Sequence, residues 1–311
     1  MGAMQYDVYH DESKEGGYWH GILMVPQERR GDLLAGLAAI RKSTGYAEPL
    51  MLKGLDRRKS DRFQCVRASI QFGVVTLIQS LKGYDDEHIR IGSPKYVPGE
   101  GLKTEYVEPV RVTNAIRARF ILFRERDDHH LMDPHKQFMD YGAKVETTFR
   151  MGFKGGLHFL FDDEDPALIT SLHFDGYEHH SGRHVDGRRI IGRLCGLREY
   201  CSFVENLQID DRSSDHRIDK AQLHDDCQLL QLTDLLVGSF RTVLGTSHNE
   251  VQREVALPVQ RLVERWNQGQ ARMRNSRWHQ GFCISECHLE GENWIFTPIS
   301  STESSGQQAL F

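Results

Sequence analysis

The 311 residues carry 39% hydrophobic and 27% charged side chains, the balance of a globular chain able to bury a sizeable core. A formal net charge of −5 excludes a global positive field, so a polyanion would have to be held by local basic patches or by metal ions. No run approaches the ~18 continuous apolar residues of a membrane span, and six scattered cysteines without a CxxC pair point to a reducing, cytoplasmic setting.

The first element is "YDVYHDES", which alternates Tyr6, Val8 and His10 against Asp7, Tyr9 and Asp11 and reads as a strand ending on two adjacent acids. "EGG" makes a tight turn, and Tyr18 to Val25 returns as the second strand of a hairpin, stopped by Pro26. Leu33, Leu34, Leu37 and Ile40 predict a helix over 30–42, and a second helix is expected over 59–70. The β-branched run "FGVVTLIQSL" (72–81) predicts a strand, and the Gly/Pro-rich stretch 82–101 a long loop. Helices are expected over 112–126 and 134–149, and "LITSLHFD" (168–175) reads as a strand ending on an aspartate. A basic helix over 187–198, a strand over 201–209, helices over 226–244 and 251–266 and a closing hairpin in "GFCISECHLEGENWIFTPI" complete the pass. This order predicts an α/β chain with a mixed sheet flanked by helices. Residues 1–245 form the core, with an insertion around 82–150. A C-terminal helix-plus-hairpin extension packs on it over 246–299, and 300–311 form a flexible tail.

The chemistry concentrates on acids at element ends. In "DDCQLLQLTDLLVGSF" the residues Cys227, Gln231, Asp234 and Gly238 share one helical stripe, and leucines cover nearly everything else. A helix apolar almost all round is buried, so Asp234 faces the interior or the floor of a cleft. It then needs a cation, and no Arg or Lys lies between Asp226 and Phe240. Asp11 and Asp175 each end a strand. Carboxylates meeting from two strands and a helix repel one another unless a divalent ion lies between them, and Mg²⁺ or Mn²⁺ suits hard oxygen ligands and phosphate oxygens. Two such ions would serve phosphodiester hydrolysis. The competing readings are that strand-end aspartates merely turn the chain and that Asp234 pairs with an arginine. Cys283, Cys287 and His288 form half a zinc site with no second pair and are read as core residues.

"YHDES", "HFDG" and "LLQLTDLLVGSF", with "LKGL" at Leu52 to Leu55, resemble separated motifs of a bacterial family, the domain of unknown function 3800. The resemblance implies a ribonuclease H-like fold shared with integrases and junction resolvases. In that fold, acids on the first strand, a middle strand and a late helix form the active site. Carried over, these are Asp11, Asp175 and Asp234 as catalytic and metal-holding residues, with Gln231 one turn earlier on the helix. Glu12 could join them at the strand end. Asp226 is a candidate fourth acid, with His224 and Asp225 competing for that place, and Lys53 falls in the family's lysine motif. The chain has Met51 where that family carries an acid before the lysine motif, which leaves three carboxylates to hold one ion, with a second held through the substrate. Such families travel with mobile or antiviral genes, which implies a role in defence.

Arg189 and Arg193 are i,i+4 neighbours that could grip phosphates, and "DRRKSDR" (56–62) and the arginines of "NAIRARFILFRER" are further basic clusters. For any single cluster the competing reading is a solvated helix face. His179, soon after Asp175, is a candidate general base or phosphate contact. No nucleophile elbow, Walker loop or dinucleotide fingerprint is present. The expected function is therefore a Mg²⁺- or Mn²⁺-dependent nuclease acting on DNA or RNA. The alternatives are a non-catalytic nucleic-acid-binding or regulatory module of the same fold, or a nucleotide phosphoesterase. A homo-oligomer or a protein partner stays open.

Overall fold

The computed structural model describes residues 2–14, 17–77, 92–97, 101–106, 116–126, 141–162, 165–175, 187–194, 201–211, 224–245, 249–270, 281–290 and 293–298. In chain order the elements are β1 (Met4–Ser13), β2 (Tyr18–Pro26), α1 (Arg30–Thr44), α2 (Ser60–Thr76), β3 (Gly92–Val97), β4 (Gly101–Tyr106), β5 (Arg119–Glu125) and α3 (Tyr141–Leu160). These are followed by β6 (Ala167–Phe174), α4 (Gly187–Leu194), β7 (Cys201–Phe203), β8 (Ile209–Asp211), α5 (Asp225–Leu244), α6 (Glu250–Gln270), β9 (Phe282–Glu290) and β10 (Asn293–Pro298).

One mixed sheet carries the strands in the order β10-β9-β5-β2-β1-β6-β7, with β8 pairing β6 further along. The pairs β1–β2, β2–β5 and β9–β10 are antiparallel. The pairs β1–β6, β6–β7, β6–β8 and β5–β9 are parallel. Strand β1 is an interior strand, next to the middle strand β2, with the hairpin return on one side and the parallel strand β6 on the other. A separate hairpin, β3–β4, starts within the predicted 82–101 loop and ends beyond it, at Tyr106.

Alternation along the strands builds two cores. Tyr9, Trp19, Leu23 and Phe120 pack with apolar residues of α1, α2, α5 and α6 on one face. Tyr6, Val8, Ile22, Met24 and Ile121 pack with α3 and α4 residues such as Phe149, Phe153, Ile190 and Leu194 on the other. The α3 helix lies directly on β5 because Gly152 and Gly156 leave room. A β-carbon at either would stand 2.5 Å from Phe123 or 2.4 Å from Ile121.

Two expectations are corrected. Residues 72–76 of the predicted strand are the end of helix α2, and 78–81 lie outside the described residues. Phe72, Val74 and Val75 are buried there, and a short apolar run satisfies a buried helix as well as a strand. Residues 119–125 of the predicted 112–126 helix are strand β5, so part of the expected insertion belongs to the main sheet. The helix expected over 134–149 is described from Tyr141 and runs on to Leu160. The strand expected over 201–209 is broken into β7 and β8, both parallel to β6. Cys283 and Cys287 are buried, and burial pushes the Cys283 thiol up to about 12. No described helix is long and apolar enough to cross a membrane. The tail at 300–311 lies outside the described residues.

Candidate active site

The late helix α5 packs against β1 and β2, and one glycine sets how closely. Gly21 faces Asp11 across the β1–β2 ladder. A β-carbon at Gly21 would stand 1.8 Å from Val237 Cγ2. Val237 occupies that space, and Asp234, one turn earlier on α5, is thereby brought down onto Asp11.

A second device brings Asp175 to the same spot. In the β1–β6 ladder Tyr6 faces Ile169 but Asp7 faces Ser171, so Thr170 is an extra residue. Its hydroxyl donates 2.8 Å hydrogen bonds to the Tyr6 carbonyl and to Asp7 Oδ1. A one-residue slip exchanges the faces of a strand. Ile169 lies in the α3-side core, and beyond the bulge Leu172 and Phe174 do so as well. Asp175 then falls beside Asp11, on the α5 face, and its amide donates to the His10 carbonyl at 3.0 Å.

The three acids therefore meet from two strand ends and a helix. Asp11 is 7% exposed, while Asp175 and Asp234 are half-buried. Burial, then the charges of Asp234 and Asp175, hold the Asp11 carboxyl well above the usual carboxylate range. Burial also pushes Asp234 up to about 6, although a hydrogen bond from Asp11 stabilises its charged form. The two carboxyls therefore titrate together, and the charge of Asp175 raises both. Arg241, two turns further along α5, also favours the charged form of Asp234, and its Nη1 donates to Ser13 Oγ at 2.9 Å. It is the cation that reading the helix only to Phe240 missed. The Asp234–Gly238 stripe, carried one more turn, reaches it.

Among the described residues no three His, Cys, Asp or Glu side chains are grouped to hold a metal ion as they stand. The donor chemistry fits one all the same: clustered carboxylate oxygens, two of them joined by a hydrogen bond that a hard divalent cation would replace.

The remaining predicted residues are distributed differently. Glu12 accepts a hydrogen bond from the Tyr18 hydroxyl and lies 3.5 Å from Lys14; it touches the trio through a backbone hydrogen bond to Asp11, which stabilises the charged form, and through its own charge, which opposes it. Asp226 stands eight residues before Asp234, about 12 Å along the helix. It belongs to a separate polar cluster. Tyr9 donates to its Oδ1 at 3.0 Å and Arg30 Nη2 at 2.8 Å, with His173 Nε2 3.7 Å away. Burial alone would raise the Asp226 carboxyl, but the charges of His173 and Arg30 and these hydrogen bonds outweigh it and hold it below its ordinary range. Its contribution to stability is therefore present at neutral pH and lost as pH falls through the depressed folded value. We expect Arg30→Gln to destabilise by about 2 kcal/mol at pH 7, less than a fully buried pair because Arg30 is 29% exposed. The gap to wild type should narrow below about pH 4. Thermal melts across pH test this, and a gap that widens in acid would contradict the pairing.

Gln231 is 1% exposed and does not face the acids. Its Oε1 accepts from Arg41 Nη2 at 2.8 Å and from the Leu50 amide at 2.9 Å. Arg41 also donates to Gln228 Oε1 at 2.7 Å and to the Glu48 carbonyl at 2.8 Å. Arg62 caps the carbonyls of Met51 and Lys53, and Leu52 Cδ1 lies over Gly238. Gln231 is therefore a clamp for the 46–53 segment, and Lys53 is carried exposed next to the Leu52–Gly238 contact. Gln231→Leu should remove protection from the Leu50 amide in hydrogen exchange and cost roughly 1–3 kcal/mol. An unchanged Leu50 exchange rate would exclude the clamp.

Arg189 and Arg193 lie across the sheet, against Glu146 of α3. In "DRRKSDR", Arg57 pairs with Glu254 and Arg58 with Asp56. Arg119 and Arg124, on strand β5, contact Asp165 and Glu286. His179 lies outside the described residues.

Comparison with known proteins finds no matching family model, no significantly similar curated protein and no significantly similar solved structure.

Proposed function

We propose that this chain is a divalent-metal-dependent nuclease with a ribonuclease H-like core. The observation that carries the reading is the convergence of Asp11, Asp234 and Asp175, acids from positions far apart in sequence, at one end of the sheet, where Asp234 and Asp175 raise the proton affinity of Asp11 and Asp175 that of Asp234. The architecture supports it: a hairpin whose first, interior strand ends on an acid, a parallel neighbour ending on another, and a late helix carrying the third. A purely structural role accounts for this poorly, because each acid raises the proton affinity of Asp11 and costs stability at neutral pH.

Asp11, Asp175 and Asp234 are the residues that would hold Mg²⁺ or Mn²⁺, which when bound supplies Lewis-acid charge at a phosphodiester and a water of lowered pKa. Asp11 must give up its proton to coordinate, so affinity rises with pH. Arg241 keeps Asp234 in the charged form that coordination requires. Lys53, on the clamped segment, is available to a phosphate.

The test is cleavage of labelled single- and double-stranded DNA and RNA, with mononucleotides in parallel, with Mg²⁺ or Mn²⁺ and with EDTA. Metal-dependent chain cleavage supports the proposal. Turnover of mononucleotides alone makes the chain a nucleotide phosphoesterase. No turnover and no Mn²⁺ uptake by calorimetry reduces it to a binding module.

A further inference from the structure

On the face of the sheet opposite α5, helices α3 and α4 build a second charged cluster. Glu146 is 2% exposed. Arg189 Nε lies 3.0 and 2.8 Å from its two carboxylate oxygens, and Arg189 Nη2 bonds one of them as well. Arg193 Nη1 lies 3.4 Å from Glu146 Oε1 and is the only group of that guanidinium engaged among the described residues. Arg150, one turn beyond Glu146 on α3, makes no hydrogen bond or ion pair among the described residues. Burial and then the charge of Arg193 depress its guanidinium, Arg189 adds to that, and Glu146 pulls the other way.

Three guanidinium groups thus surround one carboxylate in a chain of net charge −5. Tying α4 to α3 needs only the bidentate Arg189–Glu146 pair. Arg150 adds like-charge repulsion without a contact in return, which structure alone does not explain. The Arg189 and Arg193 side chains are 45% and 52% exposed, so they present charge to solvent while part of each guanidinium is held by a buried anchor.

The cluster also stands at the acids' end of the sheet. Two residues after Glu146, Thr148 Oγ1 lies 2.8 Å from His20 Nε2. The Phe149 ring sits 4.8 Å from both His10 and Phe174. The residues that follow His10 and Phe174 are Asp11 and Asp175. The arginines and the acids therefore flank one sheet end from opposite faces.

We propose that Arg189 and Arg193, held by Glu146, and Arg150 beside them form a phosphate-binding patch. It grips the backbone of a nucleic-acid strand that passes over this sheet end, beyond the acids. The polyanion's identity rests on the nuclease reading, whereas the anion site rests on the arginine geometry. Such contacts position a strand without reading its sequence.

The test uses the full chain in EDTA, so that nothing is cut, and a labelled single strand titrated by anisotropy over a range of salt. Arg150→Gln with Arg193→Gln leaves the Arg189–Glu146 pair intact. We expect unchanged circular dichroism, binding about tenfold weaker at low salt, and a salt slope shallower by about 1.5, as two phosphate contacts predict. The loss should be the same for strands of different sequence. Arg150→Lys with Arg193→Lys keeps the charge and should keep the slope, which separates lost contacts from lost folding. A wild-type slope in the double Gln variant, or no strand binding by the wild type, overturns the patch. Failure of the nuclease reading is seen separately, as no metal-dependent cleavage by a wild type that still binds.

Discussion

Asp234→Asn is expected to lose at least about 10³-fold of the metal-dependent cleavage proposed for this chain, equivalent to about 4 kcal/mol of transition-state stabilisation, and to melt at a higher temperature than the wild type in metal-free buffer. The two effects share one cause. The folded chain pushes Asp234 up to about 6, above the ordinary carboxylate range near 4. Between those values the native state binds more protons than the unfolded chain, so stability falls as pH rises through that window. The cost is absent below about pH 4 and complete above the raised value, where it is on the order of 3 kcal/mol. Asparagine removes the titration. In EDTA the wild type should therefore lose stability from pH 4 to above 6, and Asp234→Asn should lose less, the remainder coming from the Asp11 carboxyl that burial still raises. Mn²⁺ at neutral pH should restore the wild type and leave the variant unmoved, because a ligand stabilises only the state that binds it. Asp11→Asn should behave alike, since burial and both other acids raise Asp11 too. A variant that cuts at the wild-type rate, or gains as much from Mn²⁺, would remove the basis of the proposed function.

Gly21→Ala is expected to cost about 3 kcal/mol, at the upper end of ordinary overpacking. The new β-carbon would overlap Val237 Cγ2 at 1.8 Å and crowd Phe120 at 3.2 Å. Val237 is β-branched and stiff at χ1, so it cannot swing aside and the helix must lift. Lifting α5 draws Asp234 from Asp11. The pH dependence of stability in EDTA should flatten in this variant although both acids are retained. Cleavage at a temperature where the variant is folded should fall by about 10²-fold, the scale expected when reacting groups move by about 1 Å. Melts and a pH series measure both effects. Wild-type stability in Gly21→Ala would mean that α5 does not rest on the hairpin as described.

Much of the α5 face was legible in the sequence because helical spacing and burial constrain each other. Leu229, Leu230, Leu232, Leu235, Leu236 and Phe240 surround Asp234 at a density only a buried helix shows, and all six are fully buried. Strand β1 was legible from its alternation, and its terminal acid from position alone. Two elements resisted the same treatment. Phe72 to Thr76 has β-branched composition, yet helix packing against α1, α5 and α6 outweighs a propensity of a few tenths of a kcal/mol per residue. Arg119 to Glu125 falls in the stretch expected to be helical, but pairing to β2 and β9 makes it a strand.

The sequence by itself therefore determined which residues are candidates for chemistry: an aspartate within an apolar helix and aspartates at two strand ends. Tertiary structure decided which of them meet. The slip at Thr170 turns Asp175 to the face of Asp11, and without it the same aspartate would align with Glu12 on the other side of the sheet. It also assigned Asp226 to Arg30 and Tyr9, Gln231 to the Lys53 segment, and Arg189 and Arg193 to Glu146. The physical reason is that spacing along one element sets a side chain's phase, whereas register between elements sets its neighbours. Register depends on bulges and close approaches such as Thr170 and Gly21, which leave no periodic mark in the chain.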